Sequence, residues 1–393
     1  MKTILLFVIC ILFGLSFACI YNESDKFALE MLYNSTNGQD WSNNKNWIIT
    51  NDYCHWYGIS CDINCNVSRI SLVRNNLTGY LPNFSSGTLG SLTYINLANN
   101  NIYGNIGTLY NIQNLEAIDV SINSIKEEID PLVFSSMTKL IYINFSQNQF
   151  YGQIPELSPV VQTLYLWKNI LTGQFPIINQ SANYSIIIMD LSHNKIHGNL
   201  PNNFDRLIRL ETLQINHNNF TGILPDSLHL TNLTMIDLSN NHFIGSIPKS
   251  YANLINLESF FANNNELSDG LDVVYWMMKL SAIEIINNNF EEIREDFLMS
   301  SLQVFLASNN SLNGVLHVTY ATNLLVVDIS LNKNLTANID KINYDDFHLM
   351  SDPQYYDNYI CQNVLLWKTL YITDPKFFNY VNCKKIQIYL STN

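Results

Sequence analysis

Charge is scarce in this chain. Lys, Arg, Asp and Glu make up 13% of it against 47% hydrophobic residues, a balance that places it among cored proteins and apart from disordered ones. Basic residues are scarcer still. Twenty Lys and Arg face 33 Asp and Glu, for a net charge of −13. With no basic cluster, the chain lacks the electrostatic means of holding nucleic acid or an anionic membrane surface. Two catalytic signatures are also missing, the phosphate-cradling glycine loop and the serine elbow. After residue 18 no apolar run approaches the ~20 residues that span a bilayer. The tail Lys384–Asn393 lacks the hydrophobic stretch of a lipid-anchor signal.

What is present begins with an export signal. Lys2 is a minimal positive start, Ile4–Phe17 an apolar core, and Ser16 and Ala18 small residues at −3 and −1 of a cleavage site before Cys19. Residues 1–18 are therefore expected to leave, and the product to be secreted. Cysteine parity agrees. Of the seven, Cys10 leaves with the signal and six remain, an even number suited to an oxidising compartment. Asn-x-Ser/Thr triplets are frequent, among them Asn22, Asn34, Asn76, Asn144, Asn219, Asn232 and Asn309. Chance in an Asn-rich chain supplies some of them; any that carry glycans imply a eukaryotic secretory route.

Self-similarity decides the fold. Leu92, Ile95, Leu97, Asn100 and Ile102 share the frame of Leu210, Leu213, Ile215, Asn218 and Phe220, the L-x-x-L-x-L-x-x-N-x-L pattern of leucine-rich repeats. The frame recurs at Asn75, Asn100, Asn123, Asn148, Asn169, Asn194, Asn218, Asn241, Asn265, Asn288, Asn310 and Asn332, with gaps of 21 to 25 residues. An α/β solenoid of about twelve coils follows, a right-handed superhelix with a parallel concave sheet. The alternating L-x-L core is a short strand with its leucines inward. The backbone then turns inside the protein, where its N–H and C=O groups need partners. Asparagine carries a donor and an acceptor on a short side chain, so a stacked column of them serves those turns. Leucine there leaves polar groups unpaired at about 1–3 kcal/mol each.

Several coils add Leu-x-Gly-x-[Ile/Leu]-Pro after the asparagine, as in Leu77–Pro82, Phe150–Pro155, Phe220–Pro225 and Phe243–Pro248. This resembles the plant-type leucine-rich repeat, the family of polygalacturonase-inhibiting proteins and plant receptor-kinase ectodomains. The resemblance implies a second sheet flanking the concave one. Because the coils at Asn123, Asn265, Asn288 and Asn332 lack the Gly-x-Ile-Pro run, that sheet is expected to break near coil three and to be lost towards the C-terminus.

Solenoid ends need caps. Residues 19–66 read as the N-terminal cap, 67–339 as repeats and 340–393 as the C-terminal cap. In the first, Phe27, Ala28, Met31 and Leu32 fall on one helical face, with Ser24 as N-cap and Asp25 in the first turn. The run Cys54–Cys61, containing Trp56 and Gly58, resembles the family's W-x-G-[VI]-x-C cap, which implies a Cys54–Cys61 disulfide. Zinc held by Cys54, His55, Cys61 and Cys65 is the competing reading. Cys361 and Cys383 fit a bridged C-cap, and Cys19 and Cys65 pair by elimination.

No catalytic constellation, cofactor motif or complete metal set stands out. Asp119, Asp190, Asp237, Glu284 and Asp328 recur four residues before the ladder asparagine. They read as a cation or acid–base site or, more plainly, as solvated surface groups. His193 and His217 hold equivalent places on adjacent coils, about 5 Å apart, where a metal site or pH switch is the sharp reading. The expected function is extracellular recognition of a protein or carbohydrate partner, as an inhibitor or a soluble receptor. A structural or adhesion component of a coat is the alternative, and an enzyme on the same scaffold stands behind both. The expected binding face carries Tyr142, Tyr165, Trp167, Lys168, His193, Gln214 and His217. Asn144 on that face is a sequon, and a glycan there would shift the site towards Phe261 and Leu306.

Overall fold

The computed structural model describes residues 21–85, 87–226, 230–294, 301–317, 323–338 and 348–350. The signal segment 1–18, Cys19, and the Cys361 and Cys383 pair lie outside them. The chain is a parallel-sheet leucine-rich-repeat solenoid of about eleven turns. It divides into two compact units, Met1–Lys126 with Ser136–Leu140, and Glu127–Ser135 with Ile141–Asn393.

The first unit opens with helix α1, Glu23–Ser35. Its N-cap is Asn22, whose side chain accepts from the Ser24 amide at 3.0 Å, and not Ser24. The buried face is Asp25, Ala28, Leu29 and Leu32, while Phe27 is exposed. The helix is thus rotated from the expected face, and the reason is Asp25. Its carboxylate accepts the Val67 amide at 2.9 Å and the Leu89 amide at 3.0 Å. It pins the helix to the repeats as well as complementing the helix dipole. Burial raises its pKa against the lowering effect of those two amides. Trp41, Trp47, Tyr53 and Trp56 fill the cap interior. A disulfide joins Cys54 to Cys61, and Cys65 is also disulfide-bonded, so these sulfurs are not the thiolates that zinc requires. Strand Ile59–Cys61 pairs antiparallel with β1, Val67–Ser71. Parallel pairing then runs to β2, Tyr94–Asn96, and β3, Ala117–Asp119.

The second unit stacks ten parallel strands in one register. They are β4 Tyr142–Asn144, β5 Thr163–Tyr165, β6 Ile188–Asp190, β7 Thr212–Gln214, β8 Met235–Asp237, β9 Ser259–Phe261, β10 Ala282–Glu284, β11 Val304–Leu306, β12 Val326–Asp328 and β13 His348–Met350. The last extends the sheet past residue 339, into the segment read as C-terminal cap. Each strand from β4 to β12 buries its middle residue and the apolar residue two places on. Leu213 and Ile215 are fully buried, as are Leu210 and Phe220 of the same coil, each contributing about 1.5–3 kcal/mol. Several described connections run through short 3-10 turns such as Phe204–Arg206, Lys249–Asn253 and Leu271–Trp276, and one through a four-residue α-helix, Leu132–Ser135.

That flanking pairing departs from expectation only in part. It breaks after Ser124–Ile125, near coil three as expected, again after Ile170–Thr172, and a third time after Glu266–Asp269, where the coil at Asn288 holds only the isolated bridge Glu292–Asn313, but it is not lost towards the C-terminus of the described residues. His197–Gly198, Asn219–Ile223, His242–Ser246 and Glu266–Asp269 form a four-stranded sheet, and Asn313–His317 pairs with Asn334–Asn338 over five residues. The coils at Asn265 and Asn332 have no Gly-x-Ile-Pro run and still pair. Parallel pairing uses backbone amides and carbonyls, so the motif shapes the flank without being required for it.

Candidate functional site

Two neighbouring asparagine columns position the outer face. The inner column is the ladder. In the second unit Oδ1 accepts the backbone amide two residues past the preceding ladder asparagine: Asn194 from Leu171, Asn218 from Ile196, Asn241 from Phe220, Asn265 from Phe243. Nδ2 donates back to a carbonyl of the preceding coil, as Asn194 does to Leu166 and Asn218 to Leu191, and to carbonyls of its own turn. Asn148 and Asn332 lie in the same column of the second unit, each donating to its own turn. In the first unit Asn75 closes on the cap: Oδ1 accepts the Asn43 amide and Nδ2 donates to the Asn43 carbonyl, at 2.7 and 2.9 Å.

The residue immediately before each ladder asparagine forms the second column. At all twelve positions it has a left-handed backbone, φ between 52° and 59°, from Arg74 through Lys168, His193 and His217 to Asn309 and Leu331. Asparagine tolerates this region best among residues with a side chain beyond Cβ, and it stands at Asn99, Asn240, Asn264, Asn287 and Asn309. The last four are bonded in series, Asn240 half-buried and the other three exposed. Asn309 donates to Asn287, Asn287 to Asn264, and Asn264 to Asn240, at 2.7 to 3.0 Å. Asn240 Nδ2 then lies 3.2 Å from His217 Nε2. This outer ladder was missed in the sequence. Its signal was there, in the Asn-Asn pairs at 240–241, 264–265, 287–288 and 309–310.

The expected binding residues come together in the second unit. Strand register sets Asn144, Tyr165, Asp190, Gln214 and Asp237 side by side. The Tyr142 and Tyr165 rings meet edge to face at 6.1 Å. Trp167 is half-buried, and Lys168 Nζ stands 5.6 Å from its ring centroid. The His193 and His217 rings stack at 4.2 Å with 15° between planes. Phe261 and Leu306 lie further along the same face, half-buried.

The recurring carboxylates are not solvated surface groups. Asp190 Oδ1 accepts the Ser192 amide at 2.9 Å and its hydroxyl at 2.6 Å. Asp119–Ser121 and Asp328–Ser330 repeat both bonds, and Asp237 accepts the Ser239 amide. The Asp-Leu-Ser, Asp-Val-Ser or Asp-Ile-Ser wording is a local brace that turns the strand end. Burial raises the pKa of Asp190 and Asp237. Glu284 accepts from Asn263 instead, at 2.8 Å. Asn144 Oδ1 holds Ser146 in the same brace geometry.

Among the described residues no cluster of three or more His, Cys, Asp or Glu is placed to hold a metal ion, and no helix is long and apolar enough to cross a membrane. A cavity of about 690 Å³ opens beside the flanking strands, rimmed by Asp226, Asp269, Asp272 and Lys249, away from the expected binding residues in sequence and register.

With this geometry in place, comparison defines the class. A Leucine Rich Repeat family model matches residues 185–207, 209–230 and 232–254. The chain is similar to Receptor-like protein 54 of Arabidopsis thaliana, 29% identical over 42% of the chain and 20% of that relative. The match thus spans a fifth of the relative's length. Among solved structures, the Arabidopsis receptor kinase HAESA, in complex with the peptide hormone IDA and the co-receptor SERK1, superposes at TM-score 0.64 with 22% identity, over 94% of this chain and 70% of that one. The plant peptide hormone receptor RGFR1, in complex with RGF2, superposes at 0.63 with 20% identity, over 84% and 67%. The chain is a leucine-rich-repeat solenoid. Its relatives are Arabidopsis receptor-like proteins, in agreement with the plant-type repeat.

Proposed function

We propose that this chain is a secreted, non-catalytic recognition protein that binds an extended peptide or protein segment across β4–β7. The observation that carries the reading is the side-by-side placement of Tyr142, Tyr165, Trp167, Lys168, Gln214 and the stacked His193–His217 pair on one rigid outer face. Aromatic rings beside hydrogen-bonding and cationic groups are the usual makings of interface hot spots. A repeat sheet offers one side chain per coil at each register, which suits a partner that runs along it. Similar ectodomains are seen with peptide hormones, which favours a peptide over a carbohydrate. Export is supported by the signal-like N-terminus and by the Cys54–Cys61 disulfide. Two terminal caps, residues 19–66 and 340–393, complete the proposed organisation, with Cys19–Cys65 and Cys361–Cys383 as further disulfides.

The test is capture of peptides from the source organism's extracellular fluid on the immobilised chain, read by mass spectrometry, followed by titration of what is captured. Trp167→Ala and Tyr165→Ala should each cost about 2 kcal/mol or more of affinity with an unchanged melting temperature. Unchanged affinity in both variants would remove the partner from this face.

A further inference from the structure

The left-handed column changes character along the second unit. Over its last described asparagines it is a bonded amide series. Over the three coils before them it carries Lys168, His193 and His217, all exposed. We propose that these three side chains form a proton-gated site for the carboxylates of an acidic peptide, closed to anions at neutral pH and open when the surroundings acidify. This rests on the reading of β4–β7 as a recognition face and adds the charge of the ligand and the condition for its binding.

Geometry fixes the three groups as neighbours. Successive coils carry them at one register, and the two imidazoles stack face to face at 4.2 Å. The charged groups facing them are few. Lys168 comes from the coil before and Asp237 from β8, and Asp190, on the strand leading to His193, couples to Asp237. With both imidazoles neutral and both carboxylates ionised, these five groups sum to −1; with both imidazoles protonated they sum to +1. An anion is repelled in the first state and attracted in the second. The carboxylates do not neutralise the opened site at its surface, because both are largely buried and braced by Ser192 and Ser239, whereas the cations stand in solvent. Histidine is the side chain whose ordinary titration falls in this range. Burial, then His217 and Lys168, hold His193 to a lower pKa than usual, with Asp237 opposing, so the site stays shut at neutrality.

The amide series supplies the latch. Each asparagine donates towards lower residue numbers, and the series ends with Asn240 Nδ2 against His217 Nε2. As a hydrogen bond from Asn240 that contact uses a lone pair on Nε2, which the imidazole tautomer with its proton on Nδ1 supplies. Protonation turns Nε2 into a donor facing a donor. The Asn240 amide must then turn over, and the bonds to Asn264, Asn287 and Asn309 turn with it or break. A bound carboxylate bridging the two imidazolium rings offsets both this cost and the repulsion between rings. By linkage, the ligand in turn raises the proton affinity of the pair.

The experiment uses the full mature chain and a rhodamine-labelled hexa-aspartate peptide, followed by fluorescence anisotropy at about pH 5 and about pH 7.5 in about 0.1 M salt. Wild type should bind at least about tenfold tighter at the lower pH. His193→Gln/His217→Gln keeps hydrogen-bonding capacity without a charge, and its ratio should fall to within about twofold. That variant shares the general loss of negative charge on acidification and so corrects for it. His242→Gln, exposed on the flanking strand His242–Ser246, should keep the wild-type ratio. No binding at the lower pH, equal binding at both, or a ratio that survives in the double histidine variant would each overturn the proposal. The recognition reading is scored separately by the captured partner. A partner that needs Trp167 but ignores pH sinks the gate alone, and a gated hexa-aspartate site beside a Trp167-independent partner sinks the recognition reading alone.

Discussion

The two asparagine columns share a residue type, a period and a fold, and sit one position apart, yet they do different work. Asn265 is buried, with Oδ1 on the Phe243 amide and Nδ2 on the Leu238, Ala262 and Asn263 carbonyls. Asn264 is exposed, donates to Asn240 and accepts from Asn287. The inner column satisfies backbone groups that water cannot reach, so its identity is dictated at every coil. The outer column satisfies only itself, and what is dictated there is a left-handed backbone. Function is therefore free to vary on the outer column, which runs from arginine through histidine to asparagine and leucine, while the inner one stays constant.

That contrast can be broken in graded steps. Asn265→Leu should have the largest effect. Its unpaired groups cost about 1–3 kcal/mol each, so urea unfolding followed by circular dichroism should show a total loss of about 3 kcal/mol or more; a loss under about 1 kcal/mol would remove the distinction. Ile122→Asn should act in the opposite direction. Ile122 holds the left-handed position with a β-branched, exposed side chain, and relief of that strain should raise stability by about 1 kcal/mol. A decrease would show that this column requires more than a backbone conformation. His193→Gln tests the ionisable stretch. Because the folded chain holds this imidazole below its ordinary 6.5, the stability contributed by its neutral form is whole above that pH and is lost as pH falls through and below it. The drop in melting temperature between about pH 7.5 and about pH 5 should be smaller in the variant, and an unchanged drop would contradict the burial argument. Asn264→Gly should have the smallest effect, within about 0.5 kcal/mol, since glycine keeps the left-handed backbone and the side-chain partners stay at the surface; a loss comparable with that of Asn265→Leu would mean that the outer series carries load as well.

Much of this was legible because the repeat is a one-dimensional code. The spacing of the ladder asparagines located the strands, and the L-x-L alternation assigned their faces. The same counting placed Tyr165 beside Asp190 and His193 beside His217. What resisted reading was set by contacts between coils or with the cap. Asp25 looked like an ordinary first-turn acid because its partners, the Val67 and Leu89 amides, are 42 and 64 residues away. The Asp–Ser brace was two residues long and still missed, since a surface carboxylate and a buried one are spelt alike. The flanking strands persisted without their motif because backbone pairing leaves little trace in side chains. The outer asparagines were hidden by proximity, each reading as a duplicate of the ladder residue that follows it.

The closure of the first coil bears on whether this end of the stack can take up another copy. A stack of identical units has no inherent end: the surface that receives the next coil of one molecule matches the surface that begins another. Here the starting surface is spent. The main-chain groups of Asn43 occupy the amide of Asn75, and strand Ile59–Cys61, tied by Cys54–Cys61, covers the outer edge of β1 in antiparallel sense. An incoming copy would find the opposite strand polarity and no vacant amide. The cap thus closes this edge of the sheet to strand addition, and a chain deprived of it would expose the same backbone and Asn75 side-chain groups that build the interior.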